Sequence, residues 1–108
     1  MAMTVVSSGT QTATVGTLHS LYSTTTSGVF SLLVDTSNMT LGDTLELSVS
    51  VAFASGGSRK NTYEVTYAHV QSDPGKISVP VVSPYSVEFS LKQTAGTGRA
   101  FPWCVVVL

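Results

Sequence analysis

A chain of 108 residues, 43% of them hydrophobic and 10% charged, has the length of one domain and the apolar mass for one modest core, which excludes charge-driven disorder. The formal net charge is −1, and the five bases (Arg59, Lys60, Lys76, Lys92 and Arg99) are scattered, so no face can neutralise many phosphates and direct nucleic-acid binding is excluded. A single cysteine, Cys104, excludes an internal disulfide, and no window approaches the ~20 apolar residues of a membrane helix.

The first fifteen residues are rich in Ser, Thr and Gly and only weakly periodic. They read as a flexible arm, over residues 1–13, or as a short edge strand. Leu18 to Tyr22 is mixed, with Leu18, Ser20 and Tyr22 on one side and His19 and Leu21 on the other. A Ser/Thr loop runs to Gly28. Val29 to Asp35 is a short apolar run in which Phe30, Leu32 and Val34 share a face and Leu33 opposes them, the mark of a strand covered on both sides. Asp35-Thr36-Ser37-Asn38 breaks the run and Gly42-Asp43 ends the connection, with room for one helical turn at most.

Leu45, Leu47, Val49, Val51 and Phe53 then alternate with Glu46, Ser48, Ser50 and Ala52. A period of two places every large apolar group on one side of a strand, whereas on a helix these residues would circle the axis. After Ser55-Gly56-Gly57-Ser58, Tyr63, Val65, Tyr67 and His69 alternate with Thr62, Glu64, Thr66 and Ala68, so residues 44–71 predict a long antiparallel hairpin. Ile77 to Val82 is extended, and Pro80, which has no N–H, assigns it to an edge or a connection. Tyr85, Val87, Phe89 and Leu91 alternate with Ser86, Glu88, Ser90 and Lys92. The last strand, Phe101 to Leu108, turns Phe101, Trp103, Val105 and Val107 to one side.

No stretch of ten residues has a helical period, and strands recur with turn signals between them. The predicted fold is all-β: an antiparallel two-sheet β-sandwich over residues 1–108, with a Greek-key or jelly-roll-like path. Its expected core comprises Leu45, Leu47, Val49, Val51, Phe53, Tyr63, Val65, Val87, Phe89, Leu91 and Trp103.

Chemistry is sparse. Glu46, Glu64 and Glu88 take polar strand positions, which reads as a solvated face with cross-strand partners such as Lys92 or Arg59 rather than as a catalytic carboxylate pair. His19, His69 and Cys104 lack metal-ligand spacing, and Asp35, Asn38 and Asp43 lack the loop of a calcium hand and suit turn capping. Gly96-Thr97-Gly98-Arg99 precedes a strand, not the helix that a phosphate loop needs. Asn38-Met39-Thr40 matches the glycosylation pattern without the basic end and apolar run of a secretory signal before it. The residues predict a non-enzymatic protein without cofactor or metal, made in a reducing cytoplasm.

One resemblance goes beyond pattern. The run Phe89-Ser90-Leu91-Lys92-Gln93-Thr94-Ala95-Gly96-Thr97-Gly98-Arg99-Ala100-Phe101-Pro102-Trp103 resembles the C-terminal signature of small structural proteins of tailed double-stranded DNA bacteriophages. Gly28-Val29-Phe30 through Asp35, Gly42-Asp43, Leu45-Glu46-Leu47 and the Ser55-Gly56-Gly57 turn are similar to an earlier block of the same proteins, so the likeness spans residues 28–103. Such proteins often carry a charged residue after the tryptophan, where this chain has Cys104-Val105-Val106-Val107-Leu108. The resemblance implies a virion component assembled in the host bacterial cytoplasm. It would be a capsid decoration (cement) protein on the lattice of the major capsid protein, or a head-tail or tail accessory protein.

A weakly charged surface suits packing against other virion proteins and a homo-oligomer, dimer or trimer. Val106 and Leu108, opposite Trp103, and Val81 and Val82, in the proline-marked segment, exceed what one core needs and are the candidate interface residues. Contact is expected through the chain ends and the edge near Pro80. The alternative is a tail- or fibre-associated module, glycan-binding through Tyr63, Tyr67, Tyr85 and Trp103.

Overall fold

The computed structural model of the protein describes residues 3–108. Nine strands carry the fold: β1 (Thr4–Thr12), β2 (Leu18–Thr24), β3 (Gly28–Asp35), β4 (Thr44–Ala52), β5 (Arg59–Ala68), β6 (Gly75–Ile77), β7 (Val81–Ser83), β8 (Val87–Ala95) and β9 (Ala100–Val107). They form two sheets with every pairing antiparallel. One has the order β1-β9-β3-β6, with β7 also on β3; the other has the order β2-β8-β4-β5. The chain crosses between the sheets after β1, β2, β3, β5, β7 and β8, and only β4 and β5 are joined as a hairpin within one sheet. This is the double Greek key of a jelly roll, with β6 and β7 sharing the place of one edge strand.

The alternation read from sequence places the core. Leu45, Leu47, Val49 and Val51 of β4 and Val87, Phe89 and Leu91 of β8 face Phe30, Leu32 and Val34 of β3 and Phe101 and Val105 of β9. Phe30 and Phe89 meet edge to face across the two sheets, with ring centroids 6.3 Å apart. Tyr63, Val65 and Trp103 pack against this core and are half-buried. Phe53 is a correction: β4 ends at Ala52, whose N–H donates to the carbonyl of Ser86 as the chain turns away, and Phe53 is left 70% exposed. Met39, from the β3–β4 connection, joins the core instead, and that connection forms turns and no helix.

The amino-terminal segment resolves as an edge strand, not an arm: β1 pairs along its length with β9, from Thr4 opposite Val107 to Thr12 opposite Ala100. Met1 and Ala2 lie outside the described residues. The expectation for the proline-marked segment holds, since β6 and β7 are three-residue edge strands on β3. Between them Ser78 completes the ladder: its N–H donates to the carbonyl of Leu32, and its hydroxyl oxygen accepts from the Leu32 N–H.

A buried polar lock closes one end. The Asp43 carboxylate is 1% exposed. It accepts from the N–H groups of Thr40 and Thr97 and from Nε of Arg99 at 2.8 Å. Beside it the fully buried Gln93 amide donates to the carbonyls of Ala95 and Thr97 and accepts from the Arg99 N–H. Gly96 takes a φ of +89°, and a Cβ there would overlap Asp43; a Cβ on Gly98 would overlap the carbonyl of Ala13. The 93–99 segment and the Gly42-Asp43 pair, far apart in sequence, thus meet as a structural device that fixes the β8–β9 turn.

Candidate functional site

The sandwich has two outer faces, and the register of each ladder decides what it shows. On the β2-β8-β4-β5 sheet the outward positions are Ser20, Ser23, Glu88, Ser90, Lys92, Glu46, Ser48, Ser50, Glu64 and Thr66, with Leu18 at one corner. Glu46 lies between Lys92 and Thr66, Glu88 accepts from the Ser20 hydroxyl at 2.8 Å, and Glu64 accepts from the Asn61 amide at 3.0 Å. The three glutamates therefore serve a hydrated polar sheet.

The β1-β9-β3-β6/β7 sheet shows the opposite chemistry. Its outward positions are Val5, Ser8 and Thr10 on β1, Pro102, Cys104 and Val106 on β9, Val29, Ser31 and Leu33 on β3, and Ile77 and Val82 on the edge. Met3 and Leu108 extend the patch at one end, and Pro80 at the edge. Ile77 is 66% and Val82 68% exposed. Two shallow grooves cross this face on either side of Leu33 and Ile77. One, about 600 Å³, is lined by Leu33, Pro74, Lys76, Ile77, Pro102, Trp103 and Cys104. The other, about 410 Å³, is lined by Met3, Leu33, Ile77, Pro80, Val106 and Leu108. Among the described residues, Asp35 and Lys76 are the charged side chains that line the larger groove, at one end of the face.

Two of the four candidate interface residues, Val82 and Leu108, are exposed on this face. Val106 belongs to it by register but is 3% exposed, covered by its neighbours. Val81 is a correction: paired with Phe30, it points into the core and is 4% exposed, because alternation sends adjacent residues of β7 to opposite sides. Ile77 and Met3 are not among the sequence's candidates, whereas Leu33 stands out there as the residue opposing Phe30, Leu32 and Val34. The apolar run at 29–34, broken only by Ser31, is the signal that marks Leu33, but no such signal marks Ile77, which sits in a three-residue strand.

The remaining chemistry-bearing residues do not converge. The His19 ring joins Gln11 and the Thr14 N–H at the β1–β2 corner. His69, with φ +64°, follows the last residue of β5, and its Nδ1 accepts from the Gly42 N–H. Cys104 lies between Ser8 and Leu33 on the apolar face. Among the described residues no three His, Cys, Asp or Glu side chains gather in a metal-holding group.

Asp35 accepts from the N–H and hydroxyl of Ser37, a turn cap that holds its carboxyl below the ordinary carboxylate value. Burial alone would raise the Asp43 carboxyl, but the N–H of Thr40, the Arg99 guanidinium and the N–H of Thr97 together outweigh it and hold this group low as well. Both carboxylates therefore stabilise turns. Of the rings considered for sugar stacking, Tyr63, Tyr67 and Trp103 pack against the core and only Tyr85 is exposed. Comparison with known family models, curated proteins and solved structures finds no match for this chain.

Proposed function

We propose that the protein is a non-enzymatic structural component of a bacteriophage virion, a capsid decoration protein that docks on the major capsid protein lattice. The observation that carries the docking role is the contrast between the faces: one sheet turns a polar surface outward, and the other turns out Leu33, Ile77, Val82 and Leu108, with two grooves across it. A contiguous apolar face of this kind on a small domain marks a contact surface. The virion setting is supported by the sequence resemblance over residues 28–103.

The jelly roll is compatible with this role but does not select it, since the same architecture serves lectins and capsid proteins alike. In this reading the apolar face meets the lattice and the Ser/Glu face meets solvent. Co-expression with the major capsid gene from the same genomic region, followed by sedimentation of assembled particles, tests it. The protein is expected to travel with the particles. An Ile77→Asp/Val82→Asp variant is expected to stay behind while remaining folded. A variant that still co-sediments would remove the apolar face from the contact, and wild-type protein absent from particles would remove the decoration role.

A further inference from the structure

We infer that two copies of the chain join through β1, edge to edge and antiparallel about a twofold axis centred at Gly9. This inference does not rest on the capsid reading. The sandwich has two open sides, and they are built differently. On one side, β5 carries Arg59, Lys60 and Glu64, while β6 and β7 are interrupted by Pro80; Lys76 reaches across to lie 4.6 Å from the centre of the Tyr67 ring, closing the gap between the sheets. Charges, short strands and proline are the means by which sheet edges resist pairing with other chains.

The β1/β2 side has none of these. From Met3 to Val34 the sequence contains no Asp, Glu, Lys, Arg or Pro. The two edge strands on this side also differ from each other. A bulge between Ser20 and Tyr22 breaks β2 in its middle, whereas the bulge of β1 lies between Val5 and Ser7, leaving Ser7 to Thr12 in regular register with β9.

The hydrogen-bond phase of the ladder identifies which backbone groups are free. Leu108 donates its N–H to the Val29 carbonyl, so Val106 and Cys104, two and four residues back, also direct their polar groups at β3. Phe101, Trp103 and Val105 therefore face β1, where Gln11, Gly9 and Ser7 are their partners. The N–H of Ala13 donating to the carbonyl of Arg99 continues that phase. The N–H and C=O groups of Ser8 and Thr10 consequently point away from the sheet.

A twofold at Gly9 sets Ser8 opposite Thr10 of the second copy and Thr10 opposite its Ser8. Each such pair exchanges both backbone bonds, and Gly9 meets Gly9 in the non-bonded position, where the absence of side chains lets the strands close. Both partners present the same free groups, so the strand is complementary to itself, which is what an isologous dimer requires. The Ser and Thr hydroxyls add compatible cross-strand pairs on the outer face. The join would also continue the apolar outer face from one copy into the next.

Sedimentation velocity over a concentration series tests the pairing. The wild-type chain is expected to shift from monomer to twice its mass. Ser8→Lys/Thr10→Lys, at two exposed positions, sets like charges opposite each other across the axis and is expected to weaken the dimer on the order of tenfold or more. Mixing it with Ser8→Glu/Thr10→Glu is expected to restore a mixed dimer, a result that unfolding of either variant would not produce. Lys60→Ser/Glu64→Ser, on the other side of the sandwich, is expected to leave the dimer unchanged. A wild-type chain that stays monomeric, a lysine variant that dimerises as tightly as wild type, a failure of the charge-swapped pair to associate, or loss of the dimer in the β5 variant would each overturn the assignment.

Discussion

The two outer faces of this sandwich come from two antiparallel sheets, and the central strands of those sheets differ in one respect. In β4 and β8 the outward positions are polar while the inward ones, the buried Gln93 apart, are large and apolar; in β3 and β9 both sets are apolar except for Ser31. Val29 and Leu33 look out as Phe30, Leu32 and Val34 look in, and Cys104 and Val106 look out as Phe101 and Val105 look in. A strand that is apolar on both sides belongs between two layers. The β1-β9-β3-β6/β7 sheet has only one layer in the monomer, so its outer side is built like an inner one. Under the proposed function, that outer side is the docking face.

The largest effect that sharpens the comparison concerns the interior both faces share. Phe89 is fully buried and its ring meets Phe30 edge on. Phe89→Ala is expected to cost about 3–5 kcal/mol of stability, measured by denaturant unfolding. A cost below about 1 kcal/mol would mean that the two sheets are not packed as described.

Next in size is the Asp43 lock. Asp43→Asn is expected to cost about 1.5–3 kcal/mol, because a charged acceptor for Arg99, Thr40 and Thr97 is replaced by a weaker one. Since the folded carboxyl is held below its ordinary value, the stability it contributes is fully present above the unfolded value of about 4. That stability is lost as pH falls through the folded value. Unfolding curves of wild type and Asp43→Asn should run parallel at neutral pH and converge only below about pH 4. A gap that stays constant into strong acid would mean that the carboxylate charge is not what holds the turn.

The same two regions explain how far the sequence could be read. Strict alternation in β4, β8 and β9 located three strands and most of the core, because burial of one side of a sheet forces a period of two. The β1 strand escaped that logic: its inward-facing Ser7 and Gly9 are small and lie at an edge, so no apolar period announces it. Phe53 continued the β4 alternation in the sequence, but the chain had already left the ladder for the turn at 53–58. Ile77 was hidden for the opposite reason, since a three-residue strand has no period to detect. Asp43 was legible only as a turn residue, and nothing in the sequence marked Gln93 as buried. Their meeting depends on the closure of β8 against β4, a pairing that local sequence does not encode.

The smallest expected effect on stability is the most informative about the faces. Ile77 and Val82 lie on the apolar face but remain two-thirds exposed, so neither fills the core. Ile77→Ser/Val82→Ser should therefore change unfolding free energy by no more than about 0.5 kcal/mol per site. Val106→Ser, on the same face but covered by its neighbours, should cost more, on the order of 1–3 kcal/mol, because it buries a hydroxyl where a methyl packed. Ser48→Ala on the opposite face should be near neutral. The docking readout should follow a different order. If the apolar face is the contact, the Ile77/Val82 variant loses particle binding while keeping its stability, and Ser48→Ala keeps both. If Ser48→Ala and the Ile77/Val82 variant bind particles equally well, the chemical contrast between the faces has no bearing on docking, and the apolar outer side of β3 and β9 must be covered by something other than the lattice.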